Sequence, residues 1–179
     1  MRKTAAKQMA LCGILGALAV VVMLLGGIIP VATFCCPMPA ALLMVPVLYE
    51  CGRRLALTWY GAVSVLCCLL GPDKEAAAIY VFLGWYPVLK GTLDQWKRPA
   101  RFLVKLILFN GVTAVMYGLL MFVLGMEGLK QEFSSMGAVT LLVLLTLGNI
   151  TFFLFDALLP RMTLLYSSRF RLRIWKKGR

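Results

Sequence analysis

The sequence predicts an all-α, polytopic membrane protein, with six transmembrane helices in one bundle and residues 1–179 forming one domain. Three observations predict it. Apolar residues make up 61% of the 179 and only 15% are charged, and mean hydropathy is +0.88; a soluble domain of this size could not hide so much apolar surface. The apolar residues fall into runs broken by prolines, glycines or charges, and strands are needed nowhere. The cations gather at alternate boundaries of those runs.

The first span, 8–29, carries no charge between Lys7 and Pro30. At about 1.5 Å per residue, some 20 apolar residues cross a hydrocarbon core of roughly 30 Å. The run is too long for the core of a secretory signal and no small-residue cleavage site follows it, so the helix is expected to be retained. Ala6, Ala10, Gly13 and Ala17 are spaced four, three and four, which places them on one narrow helical face. A face without bulk lets another backbone approach closely in lipid.

Pro30–Pro39 is uncharged and rich in proline. Pro37 and Pro39 each lack a donor and restrict the residue before them, so regular helix throughout is not expected. A re-entrant loop or a loop over the outer mouth fits better. The second span, 39–50, holds Pro46 and should kink there. Glu50, Arg53 and Arg54 mark a water boundary before the third span, 55–70, which ends at Gly71-Pro72. Asp73 can cap the fourth span, 74–89, with Glu75 in its first turn where acids suit the helix dipole. Tyr80, Phe82, Trp85 and Tyr86 stud this span, and Pro87 and Lys90 close it. A basic connection, 91–101, carries Trp96, suited to the headgroup layer. The fifth span is 102–124, and a polar loop with Glu127, Lys130 and Glu132 follows. The sixth, 136–159, is expected to stop at Pro160. The tail 161–179 has seven basic residues and no acid.

Of the 19 lysines and arginines, only Lys74 and Lys130 fall on one face of this layout, beside Asp73, Glu75, Glu127 and Glu132. Basic loops stay cytoplasmic, so both termini are expected in the cytoplasm of a multi-pass plasma-membrane protein. The basic tail, with Phe170, Leu172, Ile174 and Trp175 between its cations, suits a surface of anionic lipid.

Composition also excludes. Histidine is absent, which removes His-ligated haem, the usual zinc sites, His-based triads and His proton relays. The net charge of +12 is spread over the ends of apolar runs, unlike a nucleic-acid footprint. None of the six cysteines forms a CxxC pair, so no zinc or thioredoxin-type site is read; most serve as small apolar residues. Cys35-Cys36 and Cys67-Cys68 both fall near the outer boundary, where an inter-pair disulfide or a thiolate metal site is conceivable. No phosphate loop is present. Glu50 and Asp94 are isolated in sequence, so a lipid-processing enzyme lacks the clustered acids it would use. The chain is expected to be neither enzyme nor cofactor protein, and to hold no metal.

Polar residues inside the spans are the candidates for function. Asn110, Thr113 and Tyr117 share one face of the fifth span; Thr146, Asn149 and Asp156 share a broad face of the sixth. Thr113 and Asn149 lie at a similar depth, about 16 Å from the inner boundary by helical rise. The two seams are therefore expected to face each other, either as interhelical glue or as the lining of a ligand path. Asp156 lies nearer the inner boundary and can snorkel, pair with a cytoplasmic arginine or take part in proton coupling. Lys105 has the right depth to pair with it but points away from the Asn110 face, so no partner follows. Tyr80, with Phe34, can line an outer pocket.

Chain length, six spans, cytoplasmic ends, a small-residue face on the first helix and a proline-rich first outer loop together resemble the substrate-binding S component of energy-coupling factor (ECF) transporters. In that family an Ala-x-x-x-Ala pair on the first helix docks on a coupling transmembrane subunit. Gly13-x-x-x-Ala17, extended by Ala10, stands here, with Gly for the first Ala. The resemblance implies a bacterial inner-membrane protein that captures a small-molecule solute and works with a coupling subunit and cytoplasmic ATPases. It also implies an outward pocket built from the last three spans, which would use Tyr80, Trp85, Asn110, Thr113, Tyr117, Thr146 and Asn149. MreD-like membrane proteins are similar in size and layout, and imply instead a non-catalytic scaffold.

Overall fold

The first helix sets the frame. In the computed structural model, which describes residues 2–26, 36–122 and 134–170 together with 125, 128 and 131, α1 runs Arg2–Gly26. Its 25 residues span about 37 Å. Ala19, Val20 and Met23 turn to the interior, and Gly16 lies against Trp59, where an added Cβ would sit 3.2 Å from the indole nitrogen. The connection between Gly26 and Cys36, including Cys35 and the expected outer loop, lies outside the described residues.

α2 (Pro37–Leu42) begins inside the proline-rich stretch. The second span was expected from 39, so the helix starts two residues early; whether 30–39 is helical throughout falls largely on residues outside those described. Pro37 and Pro39 occupy the first turn, where no intrahelical N–H is required. After Leu43, α3 runs Met44–Leu70. Pro46 again falls in a first turn, so the break comes at Leu43 and not at the proline.

The expected boundary at Glu50–Arg54 is no loop. α3 continues across it with one non-helical residue, Gly52, at φ 79° and ψ 174°. The chain kinks there, and Cys51 before the kink and Trp59 after it both reach Cys12 on α1. A positive φ suits glycine, since any side chain would crowd the following carbonyl. The expected spans 39–50 and 55–70 are thus α2 with the first turns of α3, and the remainder of α3.

α4 (Lys74–Leu83) starts as expected: Asp73 Oδ1 accepts from the Glu75 and Ala76 amides at 2.9 and 3.1 Å. It ends sooner, at Gly84, and α5 (Tyr86–Leu93) follows. A Cβ at Gly84 would lie 2.5 Å from the Tyr80 carbonyl, so only glycine tolerates this close turn. The break frees carbonyls, and side chains take them: Tyr60 donates to Val81 O and Trp85 Nε1 to Phe82 O at 2.7 Å.

α6 (Arg98–Phe122) begins four residues before the expected 102, because Pro99 sits in the first turn, where helices accept it. α7 (Ala138–Leu165) runs straight through Pro160, which was expected to stop it, and passes into a π-helical turn, Tyr166–Phe170. The polar loop after α6 lies largely, and the tail from 171 onward wholly, outside the described residues.

The interior is built by all seven helices around Tyr86, Phe109, Phe152 and Phe155, with the Phe109 and Phe152 rings stacked at 4.7 Å. A smaller cluster of Ile79, Met116 and Leu120 joins α4 to α6. Among the described residues every regular element is helical, and five helical stretches are long and apolar enough to cross a membrane: Ala6–Gly26, Met44–Leu70, Lys74–Leu93, Pro99–Phe122 and Ala138–Ser168. Large apolar side chains such as Met9, Ile107, Leu142 and Leu164 face outward, as the chain of a multi-pass membrane protein does when its solvent is lipid.

Candidate functional site

Charge enters the apolar bundle at one end, the end that carries Gln8, Glu50, Arg53 and Lys90. Asp156 of α7 lies at its centre. Its carboxylate accepts from Lys90 of α5, from Lys105 of α6 at 3.0 and 2.9 Å, and from the Tyr86 hydroxyl at 2.6 Å. Asp94, just after α5, accepts from Lys105 at 2.8 Å and pairs with Lys90 at 3.4 Å. Arg101 approaches Asp94 from the rim at 3.8 Å. Lys105 is only 3% exposed, so its ammonium exchanges water for two carboxylates. Two ammonium groups and two carboxylates balance inside the ring, which is the condition under which buried charge is tolerated.

Pro160 explains one further contact. In a continuous helix the Asp156 carbonyl would accept from the amide of residue 160, and proline has none. That carbonyl is left for another donor, and Lys90 Nζ takes it at 3.0 Å. The same ammonium therefore holds both the side chain and the backbone of Asp156. The proline bound inside α7 and the ion cluster are parts of one arrangement.

Nearby, Arg53 donates to Val88 O at 2.9 Å and Thr92 Oγ1 at 2.8 Å. Gln8 Nε2 donates to Glu50 O at 2.7 Å. These bonds join α1, α3 and α5 at the same end. The sequence signals for the cluster were present: Lys90 and Asp94 are spaced i,i+4, and Lys105 and Asp156 are charges within apolar runs. The sequence left Asp156 without an assigned partner, because Lys105 points away from the Asn110 face, and offered a cytoplasmic arginine; its partners are instead Lys105 and Lys90. A lysine stem of four methylenes gives the ammonium a long reach.

The two asparagine seams do meet. Asn110 and Asn149 exchange reciprocal amide bonds of 3.0 and 3.1 Å between α6 and α7. Each amide nitrogen spends its second N–H on its own helix, at Leu106 O and Leu145 O, both at 2.8 Å. All four N–H groups are therefore used within the protein, as in a helix-joining pair. Thr113 is half-buried on the same face of α6. Tyr117, the third member of that seam, bonds α4 instead, donating to Glu75 Oε1 at 2.6 Å. Thr146 is exposed and bonds back to Leu142 O at 2.7 Å.

Tyr80 is 0% exposed, and its hydroxyl has no hydrogen-bond partner among the described residues. It packs against the Tyr60 ring at 5.8 Å. Trp85 closes the α4–α5 break. The seven pocket candidates therefore sit in separate places: the Asn110–Asn149 pair between α6 and α7, Thr113 half-buried on the same face of α6, Tyr117 of α6 bonded to α4's first turn, Tyr80 and Trp85 in α4 and its break, and Thr146 facing outward.

The small-residue stripe of α1 points away from the bundle. Ala6, Ala10, Gly13 and Ala17 are all exposed, and a Cβ added at Gly13 would meet nothing within 4 Å. Beside the stripe runs an open apolar groove, with Gly13, Gly16 and Ala17 on one wall and Trp59, Ala62 and Leu66 on the other.

No family model, curated protein or solved structure matches the chain.

Among the described residues no three His, Cys, Asp or Glu side chains gather where they could share a metal ion. Cys67 and Cys68 are free thiols, so neither is joined to the Cys35-Cys36 pair; Cys35 itself lies outside the described residues.

Proposed function

We propose that this chain is the solute-capture subunit of an ATP-driven importer of the ECF type, crossing the membrane six times with both ends in the cytoplasm. The observation that carries the reading is the outward stripe of Ala6, Ala10, Gly13 and Ala17. α1 has one face filled by its own bundle and one face without bulk turned to the surroundings. Lipid tails gain little from such a face, whereas a second helix can approach it to backbone distance. The energy source must be a partner, since no phosphate loop is present. On the positive-inside rule the end holding the ion cluster is cytoplasmic, and the Tyr117–Glu75 pair then lies toward the outside. We place the solute site at that outer end, between α4 and α6, where Tyr117, Glu75 and the Tyr80 hydroxyl, which has no hydrogen-bond partner among the described residues, supply polar groups.

Native mass spectrometry of the gently extracted protein tests this. The expected result is a complex with a coupling subunit and two ATPases, carrying a small solute. Gly13→Leu and Ala17→Leu should remove the companions while leaving helix content and Tm unchanged. Recovery of a lone or self-associated chain without solute would reject the reading and favour a membrane scaffold. A reporter fused after Arg179 that is active only outside the cell would reject the orientation.

A further inference from the structure

Two thiols meet where α3 bends. Cys12 of α1 and Cys51 of α3, the residue before Gly52, hold their Sγ atoms 3.6 Å apart. The helices on either side of the contact are fixed at the backbone. Gln8, one turn before Cys12, donates to the carbonyl of Glu50, beside Cys51, at 2.7 Å. Trp59 Nε1 donates to the carbonyl of Cys12 itself at 2.9 Å. The thiols are thus held in contact by their neighbours. Both are half-buried, whereas Cys67 is buried and Cys68 lies on the exposed surface.

We propose that Cys12 and Cys51 are a redox-active thiol pair whose oxidation to a disulfide ties α1 to the bend of α3. Each thiol gives up one proton and one electron, one S–S bond forms, and two protons and two electrons pass to a two-electron oxidant of the peroxide or disulfide class. A bonded pair lies about 2.0 Å apart, so the sulfurs close by roughly 1.5 Å, within reach of small side-chain rotations. In a reducing cytoplasm the pair rests as the two free thiols seen here. The bond would act at a sensitive point. Gly52 is where the chain turns, and a covalent tie at the adjacent residue removes freedom of α1 against that turn. Cys12 also lines the groove beside the small-residue stripe, so oxidation fixes the wall of the groove at its basic end. This last consequence rests on the docking reading; the thiol pair does not.

The experiment treats the full chain in native membranes with diamide, an azo compound whose N=N bond takes up the two hydrogens. Peptide mapping after alkylation of the remaining thiols identifies the link. The Cys12–Cys51 link should be the main product and should form about tenfold or more faster in the folded chain than after denaturation in dodecyl sulfate, because proximity is prepaid in the fold. Cys12→Ser or Cys51→Ser should abolish it with the other cysteines in place. Recovery of both thiols alkylated, or equal rates in folded and denatured chain, would overturn the proposal. The Gly13→Leu variant separates the two readings: loss of companions with an unchanged link supports both, and retention of companions with an unchanged link removes the docking reading alone.

Discussion

Replacing Asp156 with asparagine removes one negative charge from a site that holds two ammonium groups away from water. The side chain keeps its shape, and the carbonyl freed by Pro160 still accepts from Lys90. What is lost is the anion between Lys90, Lys105 and Tyr86. Lys90 is partly solvated, its side chain 12% exposed, and Asp94 remains 3.4 Å away. Lys105 is the costly one, with Asp94 alone left to answer a side chain that is 4% exposed. Breaking a buried pair from one side costs about 3–5 kcal/mol. For a chain of this size that corresponds to a Tm lower by roughly 6–20 °C. The assay is thermal unfolding in mild detergent, followed by tryptophan fluorescence. The decisive comparison is a double-mutant cycle with Lys105→Met. Removing anion and cation together leaves less uncompensated charge, so the double variant should be more stable than the sum of the singles by about 1–3 kcal/mol. If Asp156→Asn costs under about 1 kcal/mol, the range of an exposed pair, or if the two changes simply add, the cluster is not the buried, mutually compensated unit described above.

Three further outcomes follow from the same geometry. Asn110→Ala and Asn149→Ala should each cost about 1 kcal/mol, and the double variant little more than either, because the amides serve one another; additive losses would show separate partners. Gly52→Ala places a Cβ at φ 79° and should cost about 1–2 kcal/mol; a neutral or stabilising result in the same thermal assay would mean that the bend does not need this backbone conformation. Pro160→Ala restores an amide to the Asp156 carbonyl, so Lys90→Met should be less damaging in that background than in the native chain. An equal loss in both backgrounds would separate the proline from the ion cluster.

Much of the layout was legible because it rests on local physics. Lipid-facing spans must be apolar for about 20 residues, and Asp73 before Lys74-Glu75 is a cap wherever it occurs. The facing of the two polar seams was also legible, since polar groups at similar depth in lipid have few other partners, although the residue that meets Asn149 is Asn110 and not Thr113, which the depths had levelled with it. Prolines were the main source of error. Pro46 was read as a kink and Pro99 fell in an expected connection, yet both lie in a first turn, as Pro37 and Pro39 do, where the missing donor costs nothing. Pro160 was read as a stop, and Lys90 supplies the donor that makes it tolerable.

By itself the sequence determined the solvent and the class: apolar runs of this length can satisfy their backbones only as helices, and only in lipid do they need no further cover. It determined the stripe on α1 as well, because spacing along one helix is a local property. Which charges pair was decided by the tertiary structure alone. Lys90, Lys105 and Asp156 come from three helices, and a flexible side chain reaches whichever partner the packing brings near, so no periodicity along the chain encodes their meeting. The contact of Cys12 with Cys51 was decided the same way, at a turn that one glycine makes available.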